Sequence, residues 1–232
     1  MQDAPSVLIL GIGNILWADE GFGVRAVEAL HRHYDFSGNV VLMDGGTQGT
    51  YLLQYIEAAE ILVIFDAIDY GLAPGTLRLI EDDDVPSFMG AKKMSLHQTG
   101  FQEVLAMAEL LGRYPRRLLL VGVQPVQLED YGGSLRPQTR ARIRPAIEAA
   151  LAWLAALDIK GVERAEPRPD SESLVGAEIV MSRYEGERPS AEEACRVGDE
   201  RVLASDAFEV AYRPQPVGPR RIDVDVDYRG KY

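Results

Sequence analysis

Four side chains in this 232-residue sequence stand out by type and position. Glu20 follows Asp19 directly ahead of Gly21 and the first helical stripe. Asp66 closes the apolar run Ile61–Phe65. His97 lies in SLHQTG, ahead of another stripe, and is one of 3 histidines. Asp44 ends a further apolar run and precedes two glycines. A Glu, an Asp and a His, each beside the end of a predicted strand, make an N/O donor set. One imidazole with two carboxylates suits a borderline divalent ion such as nickel or zinc, with coordination positions left open.

Each residue also has a plainer use. Acids at a helix N-terminus complement its dipole, worth roughly 0.3–1 kcal/mol, which accounts for Asp19 and Glu20. Asp44, Asp66 and Asp69 can serve as loop or cap acids. His31 and His33, two apart on a helix, face different ways and cannot hold one ion together. Trp17, Met43, Met89, Met94 and Met107 read as core. GIGN (Gly11–Asn14) after an apolar run invites a dinucleotide-binding reading, with Asp44 as the ribose-binding acid. That fingerprint requires glycine where Leu16 stands and a helix that begins at once. NILWADEG intervenes instead, and a tight turn at Gly11 and Gly13 accounts for the motif. HExxH, GxSxG and GxxxxGK[ST] patterns do not occur. The single cysteine, Cys195, sits in a polar stretch. With no Ser, Thr or Cys in an activating constellation, water is the expected nucleophile of any hydrolysis.

The elements that must position these residues follow from periodicity. Val7–Leu10, Asn39–Asp44, Ile61–Ala67 and Arg117–Val123 read as buried strands, and Thr76–Glu81 alternates as an edge strand would. Helical stripes run through Val24, Val27, Leu30 and Tyr34, then Leu52 to Ile56, Phe101 to Leu111, and Ile143 to Leu154. Gly112 suits a C-cap, Pro137 suits a first helical turn, and Pro145 should kink the last helix. Strands alternating with helices predict an α/β fold: a three-layer α/β/α sandwich around a five-stranded, mostly parallel sheet. In such sheets the site lies beyond the carboxyl ends of the strands, where GIGN, DGG and DAID stand. Residues 6–160 form the expected domain. Residues 161–232 read as a polar, proline-containing extension with little core of its own.

Composition narrows the function classes. A net charge of −12 argues against a nucleic-acid binder and against docking on anionic lipid. A single cysteine closes no internal disulfide and suits a reducing compartment. No apolar run approaches the roughly 20 residues of a membrane helix, and the N-terminus carries no basic leader. A cytoplasmic, monomeric protein is expected.

GIGNILWADEGFGVRAVEAL, DGGTQG, FDAIDYG, APGT, SLHQTG and LVGVQP, in that order, resemble the maturation endopeptidases of nickel–iron hydrogenases. The resemblance covers about Val7 to Leu157. It implies the sandwich fold just described. It implies removal of a short C-terminal peptide from the precursor of the hydrogenase large subunit after nickel insertion. The family's metal-contacting Glu, Asp and His fall on Glu20, Asp66 and His97. The Asp of DGG, Asp44, is implicated in activity, with general base as one role. Nickel would arrive on the precursor, so an unloaded precursor would gain no metal–ligand energy. A nucleotide-binding protein and a non-catalytic precursor-binding chaperone are the alternatives.

Overall fold

The computed structural model describes residues 4–89 and 96–188, with side chains for all but 87–89 and 96–100. In chain order the elements are β1 (Val7–Ile12), α1 (Phe22–His33), β2 (Tyr34–Asp35), β3 (Val40–Gly46) and α2 (Leu53–Glu57). They continue with β4 (Ile61–Ala67), β5 (Leu77–Glu81), α3 (Asp84–Met89), α4 (Leu96–Leu110) and β6 (Arg117–Val123). The last are α5 (Pro137–Arg140), α6 (Ile143–Ala155), β7 (Val162–Glu163) and α7 (Met181–Gly186).

Five strands form the central sheet in the order β3-β1-β4-β6-β5. Four are parallel, and β5 pairs antiparallel with β6 at one edge. The expected five-stranded sandwich and its alternating edge strand are therefore present. β1 and β4 are buried at every position, because helices cover both faces of the sheet. One core lies between the sheet and α1 with α6, built on Ile9, Phe65, Val121, Val27 and Ile147. The other joins Leu10, Ile64 and Leu120 to Ile56 of α2 and to Phe101, Val104 and Leu105 of α4.

Local chemistry sets the helix ends. Gly112, at φ +68°, closes α4 while the Arg113 N–H bonds the Ala108 carbonyl, a Schellman arrangement. Pro145 does more than kink the last helix. It has no N–H for the Ala141 carbonyl, so the chain turns at Ala141–Arg142 and splits into α5 and α6. Trp17 departs from its expected core position and is 37% exposed. Its neighbours on the 3-10 turn are held by hydrogen bonds that need no burial of the indole. Met43 packs half-buried against the second core, while the side chains of Met89 and Met94 lie outside the described residues.

The compact unit continues to Arg188, past the boundary drawn from composition at 160. Residues 161–188 lie along α1. β7 pairs with β2, and the Asp35 carboxylate accepts from Arg164 at 2.8 Å and Arg168 at 2.7 Å. Arg32 reaches Asp170 at 2.6 Å, and Val175 and Val180 bury themselves against Val24. Polar composition hid this packing, since the segment docks largely by ion pairs. The remainder of the predicted extension, 189–232, lies outside the described residues.

Candidate active site

The carboxyl end of β1 is the centre of the site. β1 leaves the sheet at Ile12, and residues 13–21 loop back into a 3-10 turn, Ala18–Gly21, that carries Asp19 and Glu20. The loop is wound tightly on itself. A Cβ at Gly13, where φ is +133°, would stand 1.8 Å from the Glu20 carbonyl oxygen. Helix α1 then returns against β1 at Gly23, where a Cβ would stand 2.1 Å from the Phe65 oxygen and 2.2 Å from that of Ile12. Gly23 thus performs the close helix–strand packing that a dinucleotide fingerprint assigns to its third glycine. The space a pyrophosphate would need beside Gly13 is filled by the Glu20 backbone.

The adjacent acids Asp19 and Glu20 do different work. Asp19 is fully buried. Its Oδ2 accepts the N–H groups of Val126 at 2.7 Å and Gln127 at 3.0 Å, and its Oδ1 accepts that of Arg136 at 2.7 Å. It therefore clamps the 3-10 turn to the loop that follows β6. Trp17 and Tyr131 reinforce the junction edge to face, 5.4 Å between ring centroids, and the Gly132 N–H bonds the Leu16 carbonyl at 2.7 Å. Glu20, next in sequence, stays part-exposed beside Gly13 at the carboxyl end of β1. The helix-dipole use suggested for the pair does not describe Asp19, whose carboxylate is spent on the loop.

Asp66 and Asp44 flank β1, on β4 and β3 respectively. Two strand spacings separate them, about 10 Å. Register fixes their faces. Gly11 pairs with both Asp44 and Phe65, so Asp44 shares the α1 face of the sheet with Phe65. Asp66, one residue on, faces the α4 side. It is fully buried, and its Oδ1 accepts the Ala67 N–H at 2.7 Å. His97 is the second residue of α4, the helix packed on that same face, and its side chain lies outside the described residues. The fold therefore gathers Asp66 and the start of α4 on one face, with Glu20 at the strand end, and turns Asp44 to the other.

Asp44 is half-buried, and its Oδ1 has no hydrogen-bond partner among the described residues. Burial raises its pKa above the ordinary carboxylate value; the Gly46 N–H and the Arg25 charge pull it back in part, and Glu28 pushes it up.

The HycI family model, described as hydrogenase maturation protease, matches residues 24–153. The hydrogenase expression/formation protein HupD of Thiocapsa roseopersicina is 58% identical over 95% of this chain and 100% of its own. HoxM of Cupriavidus necator is 54% identical over 86% of this chain and 99% of its own. This chain belongs to the hydrogenase maturation protease family. Among solved structures, the hydrogenase maturating endopeptidase HybD from Escherichia coli superposes with a TM-score of 0.66 at 40% identity. That match covers 69% of this chain and 98% of HybD. The protease is a peptide-bond hydrolase with an endopeptidase role in hydrogenase maturation.

Two further residues of the protease support Asp66 without having been singled out in the sequence. The Tyr70 ring lies over Gly122, the residue paired with Asp66 across β4 and β6; a Cβ there would stand 2.2 Å from the Tyr70 hydroxyl. Burial, and then the Asp66 charge, push the Tyr70 phenol above its ordinary pKa. Gln124 directly follows β6 and is buried. Its Oε1 accepts the N–H groups of Tyr70 at 2.8 Å and Leu72 at 3.1 Å, and its Nε2 donates to Asp69 at 2.9 Å. Asp69, a loop acid in the sequence reading, indeed shapes the loop. Tyr70 and Gln124 stand within FDAIDYG and LVGVQP, yet periodicity alone gives neither a role.

Proposed function

We propose that the protease removes a C-terminal peptide from the nickel-loaded precursor of a nickel–iron hydrogenase large subunit, with Glu20, Asp66 and His97 contacting the substrate's nickel. The observation that carries the reading is the placement of Asp66. A carboxylate is fully buried at the carboxyl end of a central strand, on the sheet face that also receives the start of the His97 helix. An imidazole with two carboxylates is a donor set that nickel accepts. The nickel belongs to the substrate, so the three residues read whether the precursor has been loaded.

The hydrolysis is assigned to water and Asp44. Water adds to the scissile carbonyl carbon while Asp44 takes its proton; the proton then passes to the departing amine as the C–N bond breaks. A carboxylate raised by burial is a better base than an exposed one. Asp44 stands two strands from Asp66 and on the other face, which leaves it outside the donor set and free for this step.

Intact-mass spectrometry of nickel-loaded and nickel-free precursor, each incubated with the protease, tests the reading. Loss of a discrete C-terminal peptide from the loaded sample alone is expected. Equal cleavage of both samples would refute the nickel checkpoint, and cleavage of neither would refute the substrate.

A further inference from the structure

On the α1 face below Asp44 lies a buried charge pair that folding alone does not require. Arg25 is 3% exposed and Glu28 is 8% exposed. The Arg25 Nη1 donates to Glu28 Oε2 at 2.7 Å and to the Ile179 carbonyl at 2.7 Å. The Met181 N–H donates to Glu28 Oε1 at 3.1 Å. The guanidinium sits 5.5 Å from the ring centroid of Tyr184. Residues 174–187 thus form a strap that grips both members of the pair, with Val175 and Val180 packed on Val24. The strap lies beyond the family match, which ends at residue 153.

Two complementary atoms are left over. Among the described residues, Arg25 Nη2 is a buried donor without a hydrogen-bond partner, and Asp44 Oδ1 is a buried acceptor without one. Buried polar atoms are nearly always satisfied, and exceptions concentrate where a site does chemistry. Replacing a buried ion pair by apolar residues of similar volume is often neutral or stabilising, so stability is a poor reason to keep this one.

We infer that Arg25 is a positioning residue for Asp44, and that the 174–187 strap is what holds its guanidinium in place. The inference rests on Asp44 acting as the base of the proposed hydrolysis. Among the described residues, the charged groups acting on Asp44 are Arg25 and Glu28 of α1, and the pull of Arg25 exceeds the push of Glu28. The neighbouring strand offers only Gly11 and Ile12, which carry no charge. Arg25 therefore favours the ionised form of the half-buried Asp44 carboxylate, and the strap couples the far end of the described chain to the reaction.

The test uses the full chain and nickel-loaded precursor. Arg25→Met/Glu28→Leu removes both charges together, so no lone charge is left buried. Its melting temperature should fall modestly, because the Ile179 carbonyl and the Met181 N–H lose their partners, but it should remain folded; its kcat should fall at least tenfold with little change in KM, and the acid limb of its rate profile should move to higher pH. Arg25→Lys should recover part of the rate. Tyr184→Leu, which loosens the strap, should shift the same limb by a smaller amount. A folded double variant with the wild-type rate and pH profile would overturn the role of Arg25. An unmoved Tyr184→Leu profile would overturn the role of the strap. Carbon-13 NMR titration of the Asp44 carboxyl gives a readout independent of cleavage: it should move upward in the double variant, and an unmoved titration refutes the coupling. Wild-type protein that leaves the precursor intact would instead count against the proposed substrate.

Discussion

Asp19 and Glu20 are neighbours of the same charge, and replacing each by its neutral counterpart should have opposite consequences. Asp19→Ala strands three part-buried backbone N–H groups, those of Val126, Gln127 and Arg136, that converge on one buried carboxylate. An unsatisfied buried donor costs about 1–3 kcal/mol. The three share one carboxylate and two short loops, so the low end of their sum applies, about 3–5 kcal/mol. At about 2–4 °C per kcal/mol for a unit of this size, the melting temperature should fall by about 6–20 °C. Asp19→Asn keeps an acceptor at the Oδ2 position, which serves Val126 and Gln127, and turns an NH2 toward the Arg136 N–H. It should lose about half as much. Glu20→Gln should leave the melting temperature within about 2 °C of wild type, as a surface substitution does, while abolishing processing of the loaded precursor. Thermal unfolding by circular dichroism, run beside the mass-spectrometric cleavage assay, separates the two effects. An Asp19→Ala variant that melts with wild type would refute the clamp, whatever its activity.

The other predictions follow the same logic. Asp66→Asn and His97→Ala should fold and leave the loaded precursor uncut, and normal processing by both would remove them from the site. Gly23→Ala should be severe, because the new methyl meets the Phe65 and Ile12 carbonyl oxygens at 2.1 and 2.2 Å. Overpacking of this kind costs about 1–3 kcal/mol and more where backbone must move; a melting temperature near wild type would refute the contact. Asp44 is raised by burial in the folded state, so folding binds its proton and stability falls as pH rises from the ordinary carboxylate value through the raised one. Asp44→Asn should therefore match or exceed wild-type stability at pH 7 while losing cleavage, and a clear drop in melting temperature would contradict that sign. For wild type the acid limb of the rate profile should lie above the ordinary carboxylate range, and activity persisting down to pH 4 would contradict the role of Asp44.

Most of the scaffold could be read from local pattern, because its determinants are local. Ile61–Ala67 and Arg117–Val123 are mainly apolar runs of strand length, and both are strands with those same limits. The alternation of Thr76–Glu81 marked an edge, and β5 is one. Tertiary hydrogen bonds were beyond the reach of such patterns. Nothing in the dipeptide Asp19–Glu20 says that the first is clamped by amides more than 100 positions away while the second stays part-exposed. Arg25 was visible only as a charge inside an apolar helical stripe, next to Val24 and Val27. Its partners on the strap come from a segment whose composition reads as solvated. Ion pairs and backbone hydrogen bonds dock that segment, and neither produces a hydrophobic period.

The contact of Gly11 with Gly23 carries a consequence for how such a protein can diverge. A Cβ at Gly11 would stand 2.4 Å from the Gly23 carbonyl oxygen, so peptide atoms, rather than side-chain volumes, set the distance between β1 and α1 at this end. Interiors transmit strain when residue volumes change, and a helix pinned at one point answers by swinging about it. Exchanges of core residues farther along α1 then move the far end of the helix and leave the turn bearing Glu20 where it was. Two residues without side chains thereby insulate the reaction centre from the slow drift of the core around it.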